Sequence, residues 1–119
     1  MPFESHDGRT LYFRRPNPED GIWKAPVEGG EATQVTGPIE GLAYAVGREG
    51  IFYSPAPAPS QKGSIQFFSF ATGLNRTVTV TDRPIGGWIS VSPDQRFLLF
   101  DQTSQIDRDL MLIENFVVR

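Results

Sequence analysis

Ser92-Pro93-Asp94-Gln95-Arg96-Phe97-Leu98-Leu99-Phe100 sets a tight polar turn directly against four apolar residues. Pro93 presets φ for the second position of a type I turn, and the Ser92 and Asp94 side chains can bond nearby backbone N–H groups. The apolar run suits a strand buried on both faces. The same pattern stands earlier, at Ser5-His6-Asp7-Gly8-Arg9-Thr10-Leu11-Tyr12-Phe13. Asp7 and Asp94 lie 87 residues apart, and a degraded copy, Gly47-Arg48-Glu49-Gly50-Ile51-Phe52-Tyr53, falls between them. The chain therefore repeats a unit of about 43–44 residues.

Working outward, each unit reads as four strands: inner, second, third and outer. In the first unit, Met1 to Ser5 is the remnant of an inner strand, 9–15 the second, Ile22 to Ala25 the third and Thr33 to Thr36 the outer. Pro16-Asn17-Pro18-Glu19-Asp20-Gly21 and Glu28-Gly29-Gly30-Glu31 are turn chemistry between them. The second unit follows with Gly41 to Val46, Ile51 to Tyr53, Ile65 to Phe70 and Thr77 to Thr81. The third has Gly87 to Val91, Phe97 to Phe100 and Leu110 to Ile113, and no outer strand. Third strands begin near Ile22, Ile65 and Leu110, spaced by 43 and then 45 residues. Four strands in a period of about 40–45 residues is the pattern of a propeller blade. No helical periodicity is present.

Patterning points the same way. One face of a simple sandwich sheet meets water, so its strands alternate. Here the second and third strands are apolar at consecutive positions, and radial stacking of blades buries both faces. The predicted fold is all-β: a partial β-propeller of three consecutive blades of four antiparallel strands, the last incomplete. Blade 1 covers about 1–37, blade 2 about 38–84 and blade 3 about 85–116, within one domain over 1–119.

Bulk properties narrow the function. The chain has 119 residues, 39% hydrophobic and 12% aromatic, which suits a single folded domain. A net charge of −3 gives no basic face for nucleic acid. Cysteine is absent, so disulfides and thiolate metal sites are excluded. Met1-Pro2-Phe3-Glu4 carries neither the basic nor the apolar region of a signal peptide. No apolar run approaches the roughly 18 residues of a membrane span. Cytoplasm and periplasm fit equally.

The turn and strand of Ser92 to Phe100, with its partner Ser5 to Phe13, resembles the Ser-Pro-Asp-Gly-Lys/Arg repeat of the TolB-like (WD-type) β-propellers. His6 replaces the proline in the first copy, Gln95 replaces the glycine in the third, and the middle copy keeps neither serine nor proline. The ending, Asp109-Leu110-Met111-Leu112-Ile113-Glu114-Asn115-Phe116, looks like the C-terminal end of such a propeller, which makes these its last three blades. The resemblance implies a bacterial protein and specifies fold far more than function, because the motif is a structural turn.

No catalytic constellation stands out. His6 is the sole histidine, flanked by Ser5 and Asp7, but sequence neighbours in a turn do not make a triad. No Gly-x-Ser-x-Gly elbow and no phosphate loop is present. Asp101, Asp107 and Asp109 gather around one loop, yet their spacing matches no cation loop and Arg108 sits among them, so the expectation is a solvated acidic loop without metal or cofactor. Asn75-Arg76-Thr77 is formally a glycosylation sequon but reads as a turn. Trp23 and Trp88 are read as packing residues, with Trp88 on an inner strand. Loops 14–20, 54–63 and 101–108 share one face of a propeller and form the candidate interaction surface, with Arg14, Arg15, Glu19, Asp20, Trp88, Asp101, Asp107 and Arg108 as its residues.

The function expected is a non-catalytic protein-interaction scaffold. Three blades cannot close a ring, so self-assembly with a second copy, a dimer above all, or with other blades is expected. The alternatives are the substrate-gating propeller portion of a hydrolase and a carbohydrate- or small-ligand-binding module.

Overall fold

The computed structural model describes residues 2–15, 20–56, 62–103 and 108–114. Eleven strands run β1 (Phe3–Glu4), β2 (Thr10–Arg15), β3 (Gly21–Pro26), β4 (Thr33–Gln34), β5 (Ile39–Val46), β6 (Gly50–Pro55), β7 (Gly63–Ser69), β8 (Asn75–Thr81), β9 (Ile85–Val91), β10 (Phe97–Thr103) and β11 (Arg108–Glu114). No helix occurs among the described residues. Blade 1 is the sheet β1-β2-β3-β4 and blade 2 is β5-β6-β7-β8, each an antiparallel meander. Blade 3 is β9-β10-β11. The inner strands β5 and β9 run parallel and meet at Leu42 and Trp88, which joins blades 2 and 3 into one seven-stranded ladder. Parallel inner strands converging on an axis are what radial blade stacking requires. The architecture is therefore a partial β-propeller.

The turns that open the second strands are built as the sequence implies. Ser5 Oγ donates to Asp7 Oδ1 and accepts from Thr10 N at 3.1 Å, while Arg9 N donates to Asp7 Oδ1 at 3.0 Å. The third copy repeats this: Ser92 Oγ to Asp94 at 2.7 Å, Phe97 N to Ser92 Oγ at 3.0 Å and Arg96 N to Asp94 at 3.1 Å. Backbone bonds Ser5 N to Thr10 O, Gly47 N to Gly50 O and Ser92 N to Phe97 O close all three turns. They make Thr10, Gly50 and Phe97 equivalent, and with them the positions that follow.

Two apolar layers separate the three blades. Tyr12 and Ile22 of blade 1 pack with Ile39, Tyr44, Ile51 and Tyr53 of blade 2, and Phe3 meets the Tyr44 ring edge-on at 5.1 Å. On the other side, Ala43, Ala45, Phe52, Ile65 and Phe67 of blade 2 pack with Ile85, Ile89, Leu98 and Phe100 of blade 3. Alternate residues of each strand thus face the preceding and the following blade.

Burial on both faces holds for blade 2 alone, where Gly50 to Ser54 are all buried. The expectation fails for the outer blades, because among the described residues each has one neighbouring blade. In β10, Leu98 and Phe100 are buried, whereas Phe97 and Leu99 are half-buried. In β2, only Tyr12 is buried. Strand boundaries also move: β5 begins at Ile39 and β9 at Ile85, earlier than their glycines suggest, and the outer strand of blade 1 shrinks to Thr33–Gln34. Asn75 leaves the predicted turn and opens β8, where its Oδ1 accepts from the Tyr53 hydroxyl at 2.5 Å.

Candidate functional site

Among the described residues, the members of the predicted loop surface have separate surroundings. Arg14 and Asp20 pair at 3.1 Å across the base of the loop that joins β2 to β3. Gln34 Nε2 donates to the Asp20 carbonyl at 3.3 Å and to the Thr36 carbonyl at 2.9 Å, and Ile22 N donates to Thr36 Oγ1 at 3.2 Å. Gly21, at φ +138°, packs against the Thr36 carbonyl so closely that a Cβ would collide with it. These bonds hold the loop base, and the two charges neutralise each other.

Arg15 points elsewhere. Its guanidinium lies 4.2 Å from the Trp23 ring centroid and 5.6 Å from that of Phe13, on the face of blade 1 turned away from blade 2. Asp101 is buried, with its carboxylate over Gly86, where a Cβ would occupy the same space. Beside it, Gln102 Nε2 donates to Asp82 at 2.8 Å and ties β10 to the β8–β9 connection. Trp88 is exposed on blade 3. Glu19 and Asp107 lie outside the described residues, as do loop tips 16–19, 57–61 and 104–107. Arg108 opens β11, and its side chain, like that of Asp109, is also outside them.

The opposite face carries the three turns and shallow polar clefts between them. One, of about 280 Å³, is lined by residues that include Glu4, His6, Arg48, Ser92 and Gln95. Gln95 has φ +59°, in the left-handed region that the repeat elsewhere fills with Gly8 at +72°. Its Oε1 accepts from Arg48 N at 2.7 Å and Glu49 N at 3.3 Å, so the third turn clasps the second. Sequence reasoning noted the glycine replacement but not this clasp, since the partners are 46 and 47 residues away. Ser5 donates directly to Asp7, whereas a triad places an imidazole between hydroxyl and carboxylate. That hydroxyl proton, followed by the Arg9 N–H, holds the Asp7 carboxyl below its ordinary pKa, and Ser92 and Arg96 do the same for Asp94. Among the described residues no three His, Cys, Asp or Glu side chains gather as a metal site, and no helix is long and apolar enough to cross a membrane.

The larger feature lies at the ends of the arc. Pairing of second with third strands makes Ile22, Ile65 and Leu110 equivalent, and likewise Phe67 and Leu112. Ile22 and Ile65 are fully buried against the following blade, and Phe67 nearly so; Leu110 is 66% exposed and Leu112 53%. Leu99 stands where Tyr12 and Phe52 are buried. With Trp88 on β9, these residues give blade 3 an apolar outer face of the type that forms the two internal layers. Blade 1 shows the converse. Leu11, Phe13 and Ala25, all half-buried, stand where blades 2 and 3 receive a preceding blade through Ile51, Tyr53 and Phe68, and through Leu98, Phe100 and Ile113.

Among solved structures, the chain is similar to an oligogalacturonate lyase in complex with manganese, with TM-score 0.73 and 18% identity over 96% of this chain and 33% of that one. It is also similar to a putative TolB from Agrobacterium tumefaciens, with TM-score 0.68 and 17% identity over 93% of this chain and 40% of that one. The chain thus spans between a third and two fifths of these structures. Such low identities carry the fold alone: it is the TolB-like propeller fold, and the WD-type repeat draws no support from them. No family model and no curated protein matches the chain.

Proposed function

We propose that this partial propeller is a non-catalytic protein-interaction module, which associates through the outer face of its third blade with a further blade. The observation that carries this reading is the exposure of Leu110, at the position where Ile22 and Ile65 are fully buried, and of Leu112, at the position where Phe67 of blade 2 is buried. Folded proteins seldom leave a contiguous apolar sheet face in water, and such patches mark interaction sites. Among the described residues no strand pairs with the outer edge of β11, whereas β7 in blade 2 has an outer strand along the corresponding edge.

The test is binding of an apolar-surface dye at protein concentrations low enough to dissociate a complex. The native chain binds the dye, and the double variant Leu110→Lys, Leu112→Lys loses most of the signal while keeping its β-type circular dichroism. Equal dye binding by both would contradict the reading.

A second reading, part of an enzyme's propeller, draws on the likeness to the lyase. It predicts turnover of oligogalacturonate with manganese, and a loss of that turnover in His6→Ala would favour it over the first.

A further inference from the structure

We infer that Gln95 is an inter-blade latch. It caps the second turn in place of the side chains that turn lacks, so the turns at 47–50 and 92–96 open and close as one unit, separately from the turn at 5–10. The outer face of blade 3 plays no part in this latch, which stands apart from the interaction reading above.

Three observations lead to it. First, the turns differ in what caps them. In the first turn Ser5 and Asp7 accept from Thr10 N and Arg9 N, and in the third Ser92 and Asp94 accept from Phe97 N and Arg96 N. The second turn has Gly47 where the others have serine, and it carries no aspartate. Its Arg48 N and Glu49 N donate instead to Gln95 Oε1, at 2.7 and 3.3 Å, across the joint between blades 2 and 3. The missing cap is thus supplied by the neighbouring blade.

Second, Gln95 holds its place against its backbone preference. At φ +59° it is the one non-glycine residue with positive φ among the described residues. Its place in the turn is that of Gly8: each donates its N–H to the serine carbonyl three residues before it. A residue with a Cβ is disfavoured in the left-handed region. Glycine here would relieve the backbone, and it would also remove the acceptor that the second turn uses.

Third, Gly47 is fitted to the glutamine. A Cβ on Gly47 would lie 2.5 Å from Gln95 Oε1, although Gly47 itself does not use the left-handed region. Glycine at this position therefore clears space for the carboxamide. Gly47, Arg48, Ser92 and Gln95 all line the cleft of about 280 Å³ on this face, so the latch also fixes walls of that cleft. Because the cap of the second turn is carried by the third, loosening the third turn releases the donors of the second.

The experiment is amide hydrogen exchange, followed by NMR on the 119-residue chain. The variants are Gln95→Gly, Gly47→Ala, the two combined, and Ser92→Ala beside Ser5→Ala. Gln95→Gly removes the acceptor, and Gly47→Ala displaces it with Gln95 intact. Each is expected to speed exchange at Arg48 and Glu49 by about fivefold or more, the effect of losing a hydrogen bond. The combined variant is expected to exchange no faster than Gln95→Gly, because the alanine then has nothing to displace. Arg9 and Thr10, capped within their own turn, are expected to stay as in the native chain. Ser92→Ala is expected to speed Arg48 and Glu49 as well, whereas Ser5→Ala acts on the first turn alone. Amides along β6 stay slow throughout, which separates loss of the latch from loss of the fold. Native exchange at Arg48 and Glu49 in Gln95→Gly would overturn the latch, and so would effects that add in the combined variant. A response to Gln95→Gly without one to Ser92→Ala would overturn the joint opening of the two turns.

Discussion

Asp7 and Asp94 show how two short side chains shape a strand entry. Each carboxylate accepts from a serine hydroxyl two residues before it and from a backbone N–H two residues after it. Donation to the charged form holds both pKa values below the ordinary carboxyl value, with the serine as the larger cause. A depressed folded-state pKa gives stability that is complete above the unfolded value of about 3.9 and lost as pH falls through the folded one. Urea midpoints are therefore expected to drop as pH is lowered from 5 toward 2. The Asp7→Asn, Asp94→Asn variant should show a smaller drop, because an amide keeps an acceptor but does not titrate. Identical drops in both proteins would contradict this role. These turns were legible in the sequence because every partner is local. The Gln95 clasp was not, since a left-handed glutamine gains its acceptor role only from Arg48 and Glu49 on a neighbouring blade.

At the level of the element, β10 separates what pattern shows from what it hides. The run Phe97 to Phe100 identifies a strand and its place in the repeat, and both stand. The same run reads as buried on both faces, and the structure divides it. Leu98 is wholly inside the layer shared with blade 2, and Leu99 is half-buried on the free side. An apolar residue is equally apolar whether or not its neighbour is present, so a single strand's pattern cannot count neighbours. Leu98→Ala should cost about 2–5 kcal/mol in chemical denaturation, the range for truncating a core aliphatic. Leu99→Ala, measured on dilute protein, should cost about 1 kcal/mol or less, as expected where partial burial is lost and no enclosed cavity forms. Equal costs would mean that the free face is covered within one chain. The candidate loops illustrate the other gap. Arg14, Arg15, Asp20 and Asp101 read in the sequence as charges near turns, and the structure gives them an ion pair, an aromatic stack and a buried carboxylate, none of which the charge pattern specifies.

The described residues form an arc whose middle blade is covered on both faces and whose outer blades are each covered on one. Stability should be graded accordingly, because among the described residues β6 has a neighbour on both faces, whereas β11 pairs with β10 alone. Amide hydrogen exchange, followed at low and at high protein concentration, tests this most directly. At low concentration the β6 amides should exchange slowest and those of β11 markedly faster. As concentration rises, protection should grow along β10 and β11, with β6 little changed. Exchange that is uniform across the blades, or independent of concentration along β11, would contradict the account.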